Sequence, residues 1–450
     1  MPGDVQLKSP SDGNVSPGST LSEFVDRTKE EYLNAVKQGT SREWTVVMGN
    51  EAGDLDSTAC AIAYAWYANN IQNTPTVPLV QTPHSDLHLR LENLYAFSLA
   101  GLDPSSLLCI SDVPHTKPAP FPSTKFALVD HNRLSAQFSS DNPDARVVAI
   151  IDHHADEGLY KDTANPRIIT TGIGSCASLL TLYLAQKCPG KLPGELATLL
   201  LSAIVIDTSG MVPGGKAVDQ DRQAAAFLAT RCTLSFTPDP TISFNPQSTP
   251  VLYDNPAIQA LNGTLQTKKR SLDHLGTRDL LRRDYKEYAL TPSWAATREI
   301  LVGLSSVPVS LSSWFAREGE EKFAREAEGW MAERGLAALG ILTSFRGPGK
   351  KGKVKHRREQ LFVVRTDSEG EDGAVLAKRL FKGLERSKEL RLKDVKWDEL
   401  GVRKRAGLGT GVKVGVWKQK NAEATRKTTA PLVKEIVEGT EEIQYEGQKL

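Results

Sequence analysis

Residues 45–68 read TVVMGNEAGDLDSTACAIAYAWYA, and they hold one complete unit of a fold. TVVM (45–48) is a short run rich in β-branched residues, as a buried strand prefers. GNEAGDLDS (49–57) is a polar, glycine-interrupted loop, and STACAIAYAWYA (57–68) is small and apolar for long enough to form a buried helix. The alternation continues downstream, with strand-like LLCI (107–110), FALV (126–129) and VVAII (147–151). Between and after them come helical LENLYAFSLAGL (91–102), CASLLTLYLAQKC (176–188) and GELATLLLSAIVI (194–206). Upstream, Thr20 and Glu23 have the spacing of a capping box, and Leu21, Phe24, Val25, Tyr32 and Val36 predict a helix over 21–38 that stops at Gly39. Strands that are apolar throughout and alternate with helices predict an α/β fold with a parallel sheet covered on both faces. In such sheets ligands sit beyond the carboxyl ends of the strands, so the polar residues following each strand carry the function.

A chain of 450 residues exceeds what one core can organise, which predicts two domains. Its hydrophobic share of 40% and charged share of 24% suffice for two ordinary cores and exclude a disordered or fibrous chain. Apolar runs such as Leu199–Ile206 fall far short of the roughly 20 residues of a membrane span. The first 20 residues lack both the basic start and the apolar core of a secretory signal and read as a disordered tail. Five scattered cysteines fit neither a disulfide framework nor a paired zinc motif, which predicts a reducing, cytoplasmic home. With a net charge of +1, any anionic partner must be met by local charge, and no membrane or specific nucleic acid is expected as a partner.

After the strands stand Asp54 and Asp56, then Asp130 and His131, then Asp152, His153 and His154, and SAIVIDTSG adds Asp207 at a strand or helix end. So many carboxylates in one place repel unless divalent cations neutralise them. Carboxylates mixed with imidazoles suit Mn²⁺, Co²⁺ or Mg²⁺ rather than a thiolate site. Two ions about 3.5–4 Å apart and sharing a carboxylate would activate water and clamp both sides of an in-line phosphoryl displacement. GIGSCASLL (172–180) starts a helix whose amides either hold an anion or form a plain cap. His84, His88, His115 and His274 read as surface or satisfied core residues.

GNEAGDLDS, LVDHN, IIDHHADEG and the later IDT, in this order, resemble the metal motifs of the DHH phosphoesterase superfamily, most closely its fungal-type cytosolic exopolyphosphatases. The resemblance implies that Asp56, Asp130, His153 and Asp207 hold one metal and Asp54 and Asp130 a second. It also implies that His154 contacts phosphate or protonates the leaving group. The family II pyrophosphatases carry histidine where this chain has Asn50; an amide oxygen is a weaker transition-metal ligand, which favours Mg²⁺. Asn50, His131 and Asp152 are either ligands or supports of ligands.

A Pro, Ser, Thr and Asn-rich stretch (236–269) reads as a linker or surface insertion, dividing a catalytic domain (21–235) from a smaller α/β domain (270–448). The second domain is predicted to contain a helix over 277–288, strands at 300–307, 339–345 and 360–364, and a helix near 373–386. KQKNAEATRKTTAPLV resembles the C-terminal signature of the second-type DHH-associated domain, and LLRRDYKEY its early motif, implying that Arg426, Lys427 and Lys286 bind substrate. The run 346–358 gathers Lys350, Lys351, Lys353, Lys355, His356, Arg357 and Arg358, either a solvated loop or a site for the distal part of a polyphosphate chain. The resemblance places the active site in the cleft between the domains and implies metal-dependent release of orthophosphate from polyphosphate. A pyrophosphatase or prune-like phosphodiesterase is the enzymatic alternative, and a polyanion- or partner-binding protein on the same fold the other.

Overall fold

The computed structural model describes residues 20–115, 119–235, 252–295, 299–348, 354–366, 370–402 and 407–439. Its contacts divide the chain into two compact units, Met1–Ser271 and Leu272–Leu450.

The first unit opens with α1 (Leu21–Gln38), closed at its start by the reciprocal Thr20–Glu23 box and at its end by Gly39 in the left-handed conformation. Then follow β1 (Thr45–Met48), α2 (Leu55–Asn70), β2 (Thr76–Val80), α3 (Leu91–Leu99), β3 (Leu108–Cys109), β4 (Lys125–Val129) and the short α4 (Ala136–Ser139). The unit is completed by β5 (Arg146–Asp152), β6 (Arg167–Ile169), α5 (Cys176–Lys187), α6 (Gly194–Asp207), α7 (Asp219–Ala229) and α8 (Pro256–Arg270). Its six strands are all parallel, in the order β3-β2-β1-β4-β5-β6. Every residue of β1 and β2 is buried, as two covered faces require. The chain runs outward from β1 on one side and then returns to build on the other, so the topological switch point lies between β1 and β4.

Asp207 ends a helix whose apolar face is buried almost throughout. Residues 256–270 differ from the sequence expectation of a linker. They form α8, capped by Asn255 and anchored through buried Ile258, Leu261 and Leu265 in the core of the first unit. Its apolar positions are spaced for one helix face, a signal that the Pro-rich composition upstream obscures. Residues 236–251 lie outside the described residues, as do 1–19 of the expected tail.

The second unit contains α9 (Thr277–Arg283), β7 (Tyr285–Leu290), β8 (Ile300–Val307), α10 (Leu311–Glu318), α11 (Glu320–Arg334), β9 (Leu336–Thr343) and β10 (Phe345–Pro348). Then come β11 (Val354–Arg365), α12 (Gly370–Arg386), β12 (Leu392–Asp394), β13 (Val412–Gln419) and α13 (Arg426–Glu438). Its mixed sheet runs β12-β13-β11-β9-β8-β7, with β10 paired to β11. The helix expected over 277–288 stops at Arg283, and Tyr285–Leu290 instead pairs antiparallel with β8. Pairing of the Tyr-rich YKEYAL segment with the buried β8 overrides a weak helical pattern. Lys286 therefore stands on an edge strand rather than on an amphipathic helix. Among the described residues no helix is long and apolar enough to cross a membrane.

Candidate metal centre

Met48 and Leu128 are register partners in β1 and β4, so the loops that follow these strands leave the sheet side by side at the switch point. Gly49 permits the turn, because a Cβ there would lie 2.3 Å from that of Ser57. Asp54 caps α2, accepting from the Ser57 amide at 3.0 Å. Asp56 lies in the first turn, buried. Its carboxylate is held by the start of α5: the Ser175 hydroxyl and the Ala177 amide donate at 2.8 Å each, and the Cys176 amide at 2.7 Å. The helix start that reads in sequence as either an anion holder or a plain cap thus holds an anion of the chain itself. Asp221, fully buried, in turn secures this segment by accepting from the Gly174 amide and the Ser178 hydroxyl.

Asp130 leaves β4 with a φ of 60°, a left-handed conformation that a non-glycine residue adopts at a cost. Its Oδ2 accepts from the Ser57 hydroxyl and the Asn50 amide nitrogen, both at 2.7 Å. Its Oδ1 lies 3.2 Å from His153 Nε2. The Asn50 oxygen accepts from the Ala52 amide at 2.9 Å, so this side chain orients Asp130 and keeps its oxygen on the loop. His153 Nδ1 donates to the Ile173 carbonyl at 2.9 Å, which fixes the ring with Nε2 toward Asp130. His131 Nδ1 lies 2.9 Å from the Val129 carbonyl. Asp152, fully buried, receives His154 Nδ1 at 2.8 Å and the Asn132 amide, and so supports the motif from beneath. Asp207 lies within reach of Lys269 Nζ, 3.9 Å away on α8.

The electrostatics follow from burial. It pushes the Asp56 carboxyl up to about 7, with Asp130 and Asp54 adding to the rise and His153 opposing it. It pushes Asp130 up to about 6, against hydrogen bonds from His153 and Ser57. Asp207 is driven well above the usual carboxylate range, by burial first and by Asp56 next. Burial would lower His153, but the hydrogen bond to Asp130 and the charge of Asp56 hold it up at about 9. Asp152 is the contrast: burial would raise it, yet hydrogen bonds from His154 and Asn132 keep it below the usual range. Carboxyls that resist ionising beside an imidazole that resists neutralising are the mark of a site short of cationic charge. Oxygen donors with one or two imidazoles suit a hard or borderline divalent ion, and ligand atoms of Asp130, His153 and His154 lie within 4.8 Å of one another.

A second trio, His84, Cys109 and Asp112, is equally close, but Lys29 Nζ already stands 3.6 Å from the Asp112 carboxylate and burial pushes the Cys109 thiol up to about 12. Sequence reading missed Asn132, Ser175, Asp221 and Lys269. Asn132 sits within a motif itself, whereas the other three reach the site only through the packing of α5, α7 and α8.

In the second unit, Asp284, Ser344, Arg358, Gln360, Gln419, Thr425, Arg426 and Lys427 are among the residues lining a pocket of about 310 Å³. Thr425 caps α13, accepting from the Lys427 amide at 3.2 Å. Arg426 is committed to Asp284, donating to its carboxylate at 2.7 Å and to its carbonyl at 2.8 Å. Lys286 is half-buried in β7. Of the basic run, Lys350, Lys351 and Lys353 lie outside the described residues, and the others stand on β11.

Residues 44–204 match the DHH family N-terminal domain and residues 263–436 the DHHA2 domain. A Schizosaccharomyces pombe protein named "Putative exopolyphosphatase" is 27% identical over 93% of this chain and 98% of its own length. Exopolyphosphatase PRUNE1 of Rattus norvegicus is 26% identical over 64% of this chain and 58% of its own. A Shouchella clausii protein named "Probable manganese-dependent inorganic pyrophosphatase" is 29% identical over 41% of this chain and 54% of its own. The chain thus spans little more than half of these last two relatives. Two domain matches in this order, the first over the acidic switch-point site and the second over the basic pocket, establish that the chain belongs to the DHH phosphoesterase family and carries a DHHA2 domain.

Proposed function

We propose that the chain is an exopolyphosphatase that hydrolyses the terminal phosphoanhydride bond of inorganic polyphosphate and releases orthophosphate. The observation that carries this reading is one acidic cluster in which Asp130 meets His153 and His154, Asp56 interacts with Asp130 and His153, and Asp207 with Asp56, all three carboxyls held above their usual range. The choice of polyphosphate draws support from the relative whose length is almost fully spanned. Asp56, Asp130, His153 and Asp207 would hold one divalent ion, and Asp54 with Asp130 a second, drawn from Mn²⁺, Mg²⁺ and Co²⁺. Bound there, such ions activate water and neutralise charge on phosphoryl oxygens.

The remaining work belongs to side chains of this protein. The amides of Cys176 and Ala177 hold Asp56 in place. Ser57 and Asn50 orient Asp130. Asp152 takes His154 at Nδ1, leaving Nε2 to contact phosphate or to protonate the departing oxygen. Lys427 and Lys286 steady phosphates of the substrate, and Arg426, bonded to Asp284, shapes the pocket beside Lys427, so that catalysis is mostly positioning and charge stabilisation. Five free, buried cysteines accord with action in the cytoplasm.

The test is phosphate release from pyrophosphate, tripolyphosphate, long polyphosphate and a cyclic nucleotide, each with Mg²⁺, Mn²⁺ and Co²⁺. Faster turnover of the polyphosphates than of pyrophosphate or the nucleotide is expected. Preference for pyrophosphate would make the chain a pyrophosphatase, and no turnover with any ion would leave a polyanion-binding protein.

A further inference from the structure

The basic run 346–358 reads as one cluster in sequence, but β11 divides it. Side chains alternate across a strand, so Lys355 and Arg357 project to one face and His356, Arg358 and Gln360 to the other. The neighbours agree with this division. Arg357 lies across Gly347 of β10, where a Cβ would come 3.1 Å from its Cδ. His356 Nε2 meets the Ser344 hydroxyl at 2.9 Å, and Ser344, Arg358 and Gln360 all line the pocket that contains Thr425, Arg426 and Lys427.

Within that pocket the cations are not equal. Arg426 is largely spent, its guanidinium bonded to the carboxylate and the carbonyl of Asp284, so the pair brings little net charge. Among the described residues Arg358 is held only at one edge: Nε donates to the Ala422 carbonyl at 2.6 Å, which aims the planar group and leaves its two terminal nitrogens for a ligand. The acid facing it is Glu423, and burial lowers the guanidinium pKa more than Glu423 raises it, as for a cation short of a partner. Gln360, buried beside it, donates its amide nitrogen to the Gln419 oxygen at 2.8 Å, while its own oxygen has no hydrogen-bond partner among the described residues.

We propose that Arg358 is a phosphate-gripping residue of the Arg426 and Lys427 pocket, recognising a phosphoryl group common to short and long substrates, and not a contact for the distal chain. The proposal rests on the phosphoanhydride reading above. It supplies the two-pronged cation that Arg426, paired with Asp284, does not.

The experiment is calorimetric binding of tripolyphosphate to the full chain in metal-free buffer at low salt, where no hydrolysis proceeds. Arg358→Gln should weaken binding about 10- to 100-fold, the loss expected when a charge-assisted hydrogen bond is removed. Arg358→Lys, which keeps the charge without the fork, should fall between it and wild type. The Lys355→Gln/Arg357→Gln double variant, which removes more charge from the opposite face, should lose less than Arg358→Gln alone. The proposal is overturned by three results: Arg358→Gln binding like wild type, the double variant losing as much or more, or no wild-type binding. Equal loss in the Gln and Lys variants with a lowered Tm would also overturn it, since the arginine would then serve only to tether Ala422. Failure of the exopolyphosphatase reading looks different, with the binding series intact and no phosphate released from any substrate when metal is added.

Discussion

Asp56 Oδ2 accepts a hydrogen bond of 2.7 Å from the backbone amide of Cys176, 120 residues later in the chain. That bond ties the first acidic loop to the start of α5 and sets the carboxylate's direction. Removing a group that orients a metal ligand typically costs about 10- to 100-fold in metal affinity. Ser175→Ala, which deletes the hydroxyl on Asp56 Oδ1, should therefore raise the Mn²⁺ concentration needed for half-maximal phosphate release about tenfold, with little change in Tm. An unchanged metal titration would remove Ser175 from any part in the site.

Asp130→Ala should nearly abolish phosphate release while leaving the chain folded. Activity is read by phosphate release and folding by circular dichroism. A folded variant that retains most of its turnover would sink the assignment of Asp130 as the shared ligand.

The raised pKa values set a sign for pH. Asp56 at about 7 and Asp130 at about 6 bind more protons folded than unfolded across the window above the ordinary carboxylate value. His153 at about 9 does the same between its ordinary value and 9. Where the native state binds the extra proton, stability falls as pH rises. Metal-free protein should therefore lose Tm steadily from about pH 4 to pH 9 through these groups, and a divalent ion should restore more of it at pH 8 than at pH 5. Melting curves with EDTA or with Mn²⁺ at both pH values decide this, and equal stabilisation at the two would contradict it.

Asn50 offers a clear choice. A ligand role for its oxygen predicts that Asn50→Ala changes the ratio of Mg²⁺ to Mn²⁺ activity. Its observed bonds, nitrogen to Asp130 and oxygen to the Ala52 amide, predict instead an equal fall with both ions, roughly 10-fold for the loss of an orienting partner. Steady-state rates with each metal separate the two.

Lys350, Lys351 and Lys353, changed together to Gln, should raise the KM for long polyphosphate with little effect on kcat, and leave tripolyphosphate unaffected, as lost uniform binding does. The preference for long chains should also shrink as salt rises, because exposed charges are screened within about 8–10 Å. Equal losses on both substrates would move this run into the active site.

The first unit's layout is legible in the order of its residues, and so are the acidic side chains that stand after its strands. Those features are local: β-branched runs such as TVVM, buried helices such as GELATLLLSAIVI, and polar residues standing directly after each strand. Since β1 and β4 must lie near each other for Asp56 and Asp130 to share a charge problem, motif order alone pointed to the site. Which residue supports which ligand was decided only by the tertiary structure. Asp56 is bonded by amides of α5, Asp207 meets Lys269 from a helix that composition disguised as a linker, and Arg426 is neutralised by Asp284. The basic run shows the same limit most plainly. In sequence Lys355 to Arg358 are three charges and a histidine in a row, and strand pairing, by sending alternate side chains to opposite faces, makes neighbours in the chain strangers in space.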